Sequence, residues 1–217
     1  MKRFSYALVL MVFVFTANIF AQSDSKAKSI LADASKKFRS YNVVKADFTY
    51  SYTNRQANAR ESYSGTLLLQ SKFNKYKIVL PGQEIISDGK NQWTYLKEDK
   101  EVQIAEIDNS EGSLNPAQIF TIYEKGFKYV YTGDTKLNGK IVQQIELAPL
   151  TNRSFSKIKL SVDKASKTIS SLSVYDKNGN IYSYTIRSFV SNVSNVTAST
   201  FTFDKSKYPG VEIVDLR

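Results

Sequence analysis

The sequence contains neither cysteine nor histidine. These absences exclude Ser-His-Asp and Cys-His nucleophilic sites, zinc sites built from those side chains, and haem ligation through them. The lack of cysteine also argues against a disulfide-stapled extracellular module. Only nine glycines are present, and because no GxxxxGK(S/T) or GxGxxG motif occurs, no phosphate-binding loop is indicated. We therefore expect a protein that is not an enzyme and that uses no cofactor and no metal.

The first 21 residues have the features of an export signal. Lys2 and Arg3 form a positively charged start, and an apolar run follows over residues 6–17. This run is too short to span a bilayer comfortably, and a small residue precedes the expected cleavage point. We predict a signal peptide over residues 1–21 and a single mature domain over residues 22–217.

The formal net charge of +10 is compatible with nucleic acid, an anionic membrane or an acidic protein as partner. The lysines, however, are scattered among apolar residues, which is typical of the solvated face of a sheet. No basic motif with interleaved aromatic residues occurs, so we expect no nucleic-acid binding. A paired-carboxylate hydrolase is the remaining catalytic alternative, but the charged run at 97–101 is more typical of a solvated hairpin tip.

Helical spacing is confined to two segments. In residues 25–41 the apolar positions recur every three or four residues, and a second, short helix is predicted from Asn115-Pro116 to Tyr123. Elsewhere apolar residues alternate with period two between Gly, Asn and Asp turns, which predicts about eleven antiparallel strands. One sheet of that size curls. We therefore predict a mostly β fold of the α+β class, with the helices covering the concave side of the sheet.

Aromatic side chains are abundant, with fourteen tyrosines, thirteen phenylalanines and one tryptophan. Aromatic residues are favoured in any β core, and most barrels of this size fill their interior. Composition alone therefore leaves open whether these side chains pack against each other or line a cavity.

The segment 85–95, which reads IISDGKNQWTY, resembles the I-x-S-D-G-K-x-x-W-x-Y block of the outer-membrane lipoprotein carrier family, LolA. Weaker similarities to that family follow its order along the chain: residues 45–49, residues 65–69, the helix from Asn115, Phe201-Thr202-Phe203, and Pro209-Gly210-Val211. One element departs from the pattern. The family usually carries an R-P-x-x-F stretch whose arginine helps to hold a lid shut, whereas residues 70–76 contain no Arg-Pro. Lys72 could replace that arginine as a cation but not as a planar group with several donors.

The resemblance implies an incomplete, strongly curved antiparallel β-barrel whose helical lid covers a cavity for the acyl chains of lipoproteins. It implies a monomeric periplasmic carrier that receives acylated lipoproteins from an inner-membrane lipoprotein-releasing transporter and moves them towards the outer membrane. Whether an outer-membrane acceptor takes part is left open. The residues expected in the cavity wall are Phe48, Tyr50, Leu67, Leu69, Ile78, Trp93 and Tyr95. The residues expected in the lid are Ile119, Phe120 and Tyr123.

Two other functions remain open. The same scaffold would also suit a carrier of another amphiphile, such as a free lipid or a polyene. A non-catalytic sensor or adaptor that binds a protein partner is the third reading, and it predicts a filled interior.

Overall fold

The computed structural model describes residues 24–54, 56–107 and 120–217. The predicted signal peptide, Ile119 and most of the predicted second helix lie outside these ranges. Within them, no helix combines the length and the apolar character that crossing a lipid bilayer requires.

The described chain consists of one α-helix, twelve strands and four short 3₁₀ turns. Helix α1 covers residues 24–39. The strands are β1 (Val44–Asn54), β2 (Ala59–Gln70), β3 (Lys75–Leu80), β4 (Gln83–Asp88), β5 (Asn91–Leu96), β6 (Glu101–Glu106), β7 (Phe127–Leu137), β8 (Lys140–Pro149), β9 (Phe155–Asp163), β10 (Ile169–Asp176), β11 (Asn180–Ser191) and β12 (Glu212–Asp215). The 3₁₀ turns are Ser71–Phe73, Ile122–Glu124, Ala198–Phe201 and Lys205–Lys207.

All twelve strands form one sheet in the order β12-β6-β5-β4-β3-β2-β1-β11-β10-β9-β8-β7. The sheet is not closed, because β12 and β7 stand at its two ends. This arrangement confirms the predicted mostly β fold and the incomplete, curved barrel. The sequence pattern missed only β12, a four-residue strand that pairs with β6 in parallel, since so short a strand shows almost no alternation.

Strand β1 joins the two halves of the sheet. It pairs with β2 on one side and with β11 on the other, and Phe48 stands opposite Ile186 while Tyr50 stands opposite Tyr184. On the concave face, β1 is buried at Val44, Ala46 and Phe48 and only partly buried from Tyr50 onwards. The concave side is therefore closed at the end where β1 begins and more open at the end where β1 finishes.

Helix α1 closes the buried end. Its apolar residues Ala27, Ile30, Leu31, Ala34 and Phe38 recur at helical spacing and are all buried, which places them on one face of the helix. They share one core cluster with strand residues that are almost or completely inaccessible, namely Leu69, Tyr76, Ile145, Leu147, Ile158 and Leu160. The helix thus fills one end of the curved sheet with side chains.

Truncation of this core should destabilise the protein. Leu69 is 1% exposed, so we expect Leu69→Ala to lower the free energy of unfolding by about 2–5 kcal/mol, through lost burial and the remaining cavity. Urea unfolding measures the change. The matched control is Leu150→Ala, at a position that is 60% exposed, where we expect a change within about 0.5 kcal/mol. Equal losses in the two variants would contradict this description of the core.

Candidate functional site

A cavity of about 340 Å³ lies against the concave face, between α1 and the open end of the sheet. Its wall comes from both halves of the sheet and from the chain just before β7. The lining residues are Phe48, Tyr50, Leu67, Ile78, Leu80, Gln83, Ile85, Phe120, Ile122, Ile169, Leu172, Val174, Tyr184 and Ile186. Apart from the Gln83 amide and the hydroxyls of Tyr50 and Tyr184, these side chains are hydrocarbon. The volume falls near the lower end of the roughly 300–1,000 Å³ of typical ligand pockets.

Five of the residues singled out from the sequence line this cavity: Phe48, Tyr50, Leu67, Ile78 and Phe120. Leu69 lies on the same face of β2 as Leu67 but is fully buried in the core cluster shared with the helix. Tyr123 is also fully buried and lines a separate groove beside α1. Ile119 lies outside the described residues.

Trp93 and Tyr95 lie on the opposite, convex face. Ile85 of the cavity wall stands opposite Thr94, whereas Trp93 stands opposite Ile86, and neighbouring residues of a strand point to opposite faces. The Tyr95 ring packs edge-on against Tyr208, with the ring centroids 4.7 Å apart. The alternation predicts one apolar face for β5, and the structure places that face on the convex side, where Tyr208 of the C-terminal segment covers it. We therefore leave Trp93 and Tyr95 out of the candidate site.

Sequence reasoning missed the wall that β10 and β11 contribute. Leu172, Val174, Tyr184 and Ile186 belong to strands that are correctly predicted, and Leu172 stands opposite Tyr184 in the sheet. What the pattern could not reveal is that β11 pairs with β1, which lies far away in the sequence. Period-two alternation identifies a strand but not its partner.

Gly65 sets the depth of the cavity wall beside Phe48. A Cβ atom at this position would lie 2.6 Å from the Phe48 Cζ atom and 2.7 Å from the Leu80 Cδ2 atom. Both side chains therefore rest on bare backbone, which only glycine provides. Any larger residue would force them towards the cavity.

We expect Gly65→Ala to shrink the cavity. The added methyl group displaces the Phe48 ring and the Leu80 side chain, and overpacking of this kind costs about 1–3 kcal/mol. We expect Gly65→Ala to bind the hydrophobic dye bis-ANS more weakly and to unfold at a lower urea concentration than the native protein. The control is Ser64→Ala, at the exposed neighbouring position of the same strand. Unchanged dye binding by Gly65→Ala would contradict the role assigned to this glycine.

Residues 120–124, which we call the roof segment, connect the cavity to α1. The Phe120 ring stacks on Phe38 with centroids 4.8 Å apart, and the Tyr129 hydroxyl donates to the Tyr123 carbonyl oxygen at 2.8 Å. On the outer side, Arg39 and Ser35 of the helix donate to the Glu124 carboxylate, with 3.2 Å between Arg39 Nε and Glu124 Oε1.

Lys72 does not contribute to this attachment. Its side chain is exposed, and its Nζ atom lies 5.6 Å from the ring of the adjacent Phe73. In the described residues, the polar side chains that attach the roof segment to the helix are those of Ser35 and Arg39, through Glu124.

The charge of Glu124 should control how firmly the roof segment is held. Burial alone would raise the pKa of Glu124, but the hydrogen bonds from Arg39 and Ser35 outweigh it and hold the pKa below its ordinary value of 4.5. A carboxylate with a lowered pKa contributes stability above its unfolded pKa, and that contribution is lost as pH falls through the folded pKa. We therefore expect the attachment to weaken below about pH 4.5.

Amide hydrogen exchange of the roof segment tests this expectation. At pH 7, Glu124→Gln should raise exchange in residues 120–124 relative to the native protein, and the difference should shrink as the pH falls through the lowered pKa of Glu124. Amides of β9, which pairs on both sides, serve as the internal control. A difference between the two proteins that stays constant with pH would contradict the assignment.

Comparison with known proteins gives one family and a set of similar folds. The family model for the outer membrane lipoprotein carrier protein LolA matches residues 39–204. No curated protein matches the sequence. A crystal structure of an uncharacterized conserved protein from Thermus thermophilus superposes with a TM-score of 0.59 at 13% identity, covering 88% of this chain and 99% of that one. At this identity the similarity concerns the fold alone.

Two further structures superpose less closely. LprF from Mycobacterium bovis gives a TM-score of 0.49 at 12% identity, covering 80% of this chain and 97% of its own. A LolA superfamily protein from Nitrosomonas europaea gives 0.44 at 11% identity, covering 82% and 97%.

Proposed function

Because this chain belongs to the LolA family, whose model matches residues 39–204, we propose that it carries lipoproteins by binding their acyl chains. The observation that supports this proposal is the cavity of about 340 Å³ on the concave face, with its nearly continuous hydrocarbon wall. In this proposal the protein catalyses no reaction. It covers the acyl chain, moves with it from the inner to the outer membrane, and releases it.

The energetics of an acyl chain in water explain why such a carrier is needed. Exposure of each methylene group to water costs about 0.8 kcal/mol, so a lipoprotein with its acyl chains exposed cannot cross an aqueous compartment by itself. The side chains proposed to cover the acyl chain are Phe48, Tyr50, Leu67 and Ile78 from the first half of the sheet, with Leu172, Tyr184 and Ile186 from the second. Of the lid residues expected from the sequence, Phe120 makes direct contact in this proposal, while Tyr123 supports it from the core.

Release requires that the cover be reversible. The roof segment is fixed to α1 by one aromatic stack and by an ion pair whose Arg39 side chain is 62% exposed. Exposed ion pairs contribute little to stability, about 0–1 kcal/mol. The main cost of opening the roof is therefore the exposure of Phe120 and Tyr123, which are 4% and 1% exposed, and an acyl chain that takes the place of the Phe120 ring in the cavity would offset part of that cost.

The proposed setting is the periplasm, which the chain reaches through the predicted signal peptide. The proposed partners are acylated lipoproteins and the inner-membrane transporter that releases them, with an outer-membrane acceptor as a further candidate. Removal of the predicted signal peptide takes away Lys2 and Arg3 and lowers the net charge from +10 to +8, and this basic balance favours association with acidic surfaces on these partners.

Blocking the cavity tests the proposal. Ile85 lines the cavity and is partly exposed, so Ile85→Trp should fill part of the space at small cost in stability. We expect this variant to lose co-purification of acylated lipoprotein by about tenfold or more, which corresponds to about 1.4 kcal/mol. The matched control is Ile141→Trp, at a position that is 54% exposed and outside the cavity. Mass spectrometry of the co-purified material quantifies the client.

Two results would count against lipoprotein binding. If a client lacking its acyl chains binds as well as the acylated one, the cavity is not the binding site. If Ile85→Trp and Ile141→Trp retain equal amounts of lipoprotein, the same conclusion follows.

A carrier of a different amphiphile is the second candidate, because the same apolar wall would accept it. Extraction and mass spectrometry of the bound ligand distinguish the two, since a free lipid appears without attached polypeptide. The third hypothesis, a protein-binding adaptor, predicts a filled interior, and the presence of the cavity disfavours it.

A further inference from the structure

Five tyrosines follow one another along the concave face at the open end of the sheet: Tyr50, Tyr52, Tyr63, Tyr182 and Tyr184. We call this set the tyrosine ladder. The Tyr50 and Tyr184 rings are 5.2 Å apart between centroids, and those of Tyr52 and Tyr182 are 5.4 Å apart. Tyr63 stacks on Tyr50 at 6.4 Å. The ladder exists because β2 places one tyrosine, and β1 and β11 place two each, on the same face at matching register.

The ladder lies between the cavity and solvent. Tyr50 and Tyr184 belong to the cavity wall, whereas Tyr63 is 42% exposed. The opposite end of the cavity is filled by the stack of Phe38 on Phe120. A chain-like ligand that lies in the cavity therefore has its polar end at the ladder, where tyrosines present an apolar ring and a polar tip.

The hydroxyl groups of the ladder are not equivalent. Tyr52 donates to Asn180 Oδ1 at 3.0 Å, and Tyr63 donates to Glu61 Oε2 at 2.9 Å. Among the described residues, no side chain or backbone group forms a hydrogen bond with the hydroxyl of Tyr50 or Tyr184. Burial raises the pKa of Tyr184 to about 12 and also raises the pKa of Tyr50, so both hydroxyls keep their protons. These two donors, placed where the cavity opens, have no acceptor in the part of the chain that the structure describes.

The charge around the ladder decides which acceptor fits. No lysine or arginine of the described residues lines the cavity. Glu61 and Asp176 act on the ladder electrostatically, the former on Tyr50 and the latter on Tyr182. A free carboxylate would therefore meet two negative charges and no cation in the described wall, whereas an uncharged carbonyl oxygen would accept hydrogen bonds without that repulsion.

We propose that Tyr50 and Tyr184 bind the carbonyl oxygen through which an acyl chain is joined to its carrier molecule, and that the site selects esterified or amidated acyl chains over free fatty acids. This inference rests on the proposed function, because it requires the hydrocarbon tail to lie in the cavity. It adds a polar subsite and a preference between two classes of ligand that share the same tail.

Displacement of bis-ANS from the mature protein at pH 7 provides the test, with methyl laurate, laurate and dodecane as three probes of equal chain length. The native protein should bind methyl laurate more tightly than laurate. The double variant Tyr50→Phe/Tyr184→Phe keeps both rings and removes both hydroxyls. We expect it to bind methyl laurate about 4- to 100-fold more weakly, at about 2- to 10-fold for each of the two hydrogen bonds lost, and to bind dodecane as the native protein does.

Two variants complete the experiment. Tyr175→Phe removes a hydroxyl from the convex face, where the Tyr175 ring lies near Lys157, and should change none of the three affinities. Glu61→Gln removes one of the two negative charges and should narrow the difference between methyl laurate and laurate. Thermal unfolding of each variant confirms that it is folded.

The outcomes separate the subsite from the function. If the double variant loses as much affinity for dodecane as for methyl laurate, the proposed subsite is wrong, since the loss would then not come from hydrogen bonds to the carbonyl oxygen. Tighter binding of laurate than of methyl laurate by the native protein would overturn the selectivity. If none of the three probes displaces the dye from the native protein, the acyl-binding function itself fails and the inference falls with it.

Discussion

The pairing of β1 with β11 is the constraint on which the rest of the molecule depends. It joins the meander β1–β6 to the meander β7–β11, and Ser188 bonds Asp47 across 141 sequence positions. Without it, neither half of the sheet would have a concave side deep enough to hold a cavity. A shift of this pairing by one residue would turn every inward side chain outward. The cavity and the tyrosine ladder are thus consequences of one long-range register.

The sequence predicted the local structure well and the long-range structure poorly, for physical reasons that particular residues illustrate. The spacing of Ile30, Ala34 and Phe38 identifies a helix with one apolar face, because side chains four residues apart lie one above the other on the same face of an α-helix. Phe48 and Tyr50 alternate with polar residues and therefore had to face inward. Trp93 alternates in the same way, but the apolar face of its strand lies on the convex side, under the C-terminal segment. Alternation identifies an apolar face but not the side of the sheet on which it lies. The burial of Leu69 beneath helical residues was equally invisible, since it depends on where α1 docks.

The attachment of the roof segment to α1 does not depend on the arginine that the family pattern contains. The arginine that the family pattern places after the second strand is missing from this chain, and the ion pair that attaches the roof segment to the helix is formed by Arg39. The geometry is nevertheless suited to the task, because Glu124 receives donors from two successive turns of α1. The energy of such a contact is small enough to be overcome by a ligand that gains from burial of its hydrocarbon tail. In the proposed function, the same few atoms would control both attachment and release.

The two ends of the sheet have a consequence for behaviour at high concentration. Exposed strand edges can recruit other chains into extended aggregates, and natural proteins avoid this with short or irregular edge strands. Here one edge is the four-residue β12, and the other, β7, is interrupted by a register shift between Tyr131 and Gly133. Within residues 24–54, 56–107 and 120–217, neither edge offers a long, regular template. Although its apolar cavity is partly open to solvent, the protein therefore has little tendency to aggregate through its sheet, because its edge strands present few regularly spaced backbone groups with which another molecule could pair.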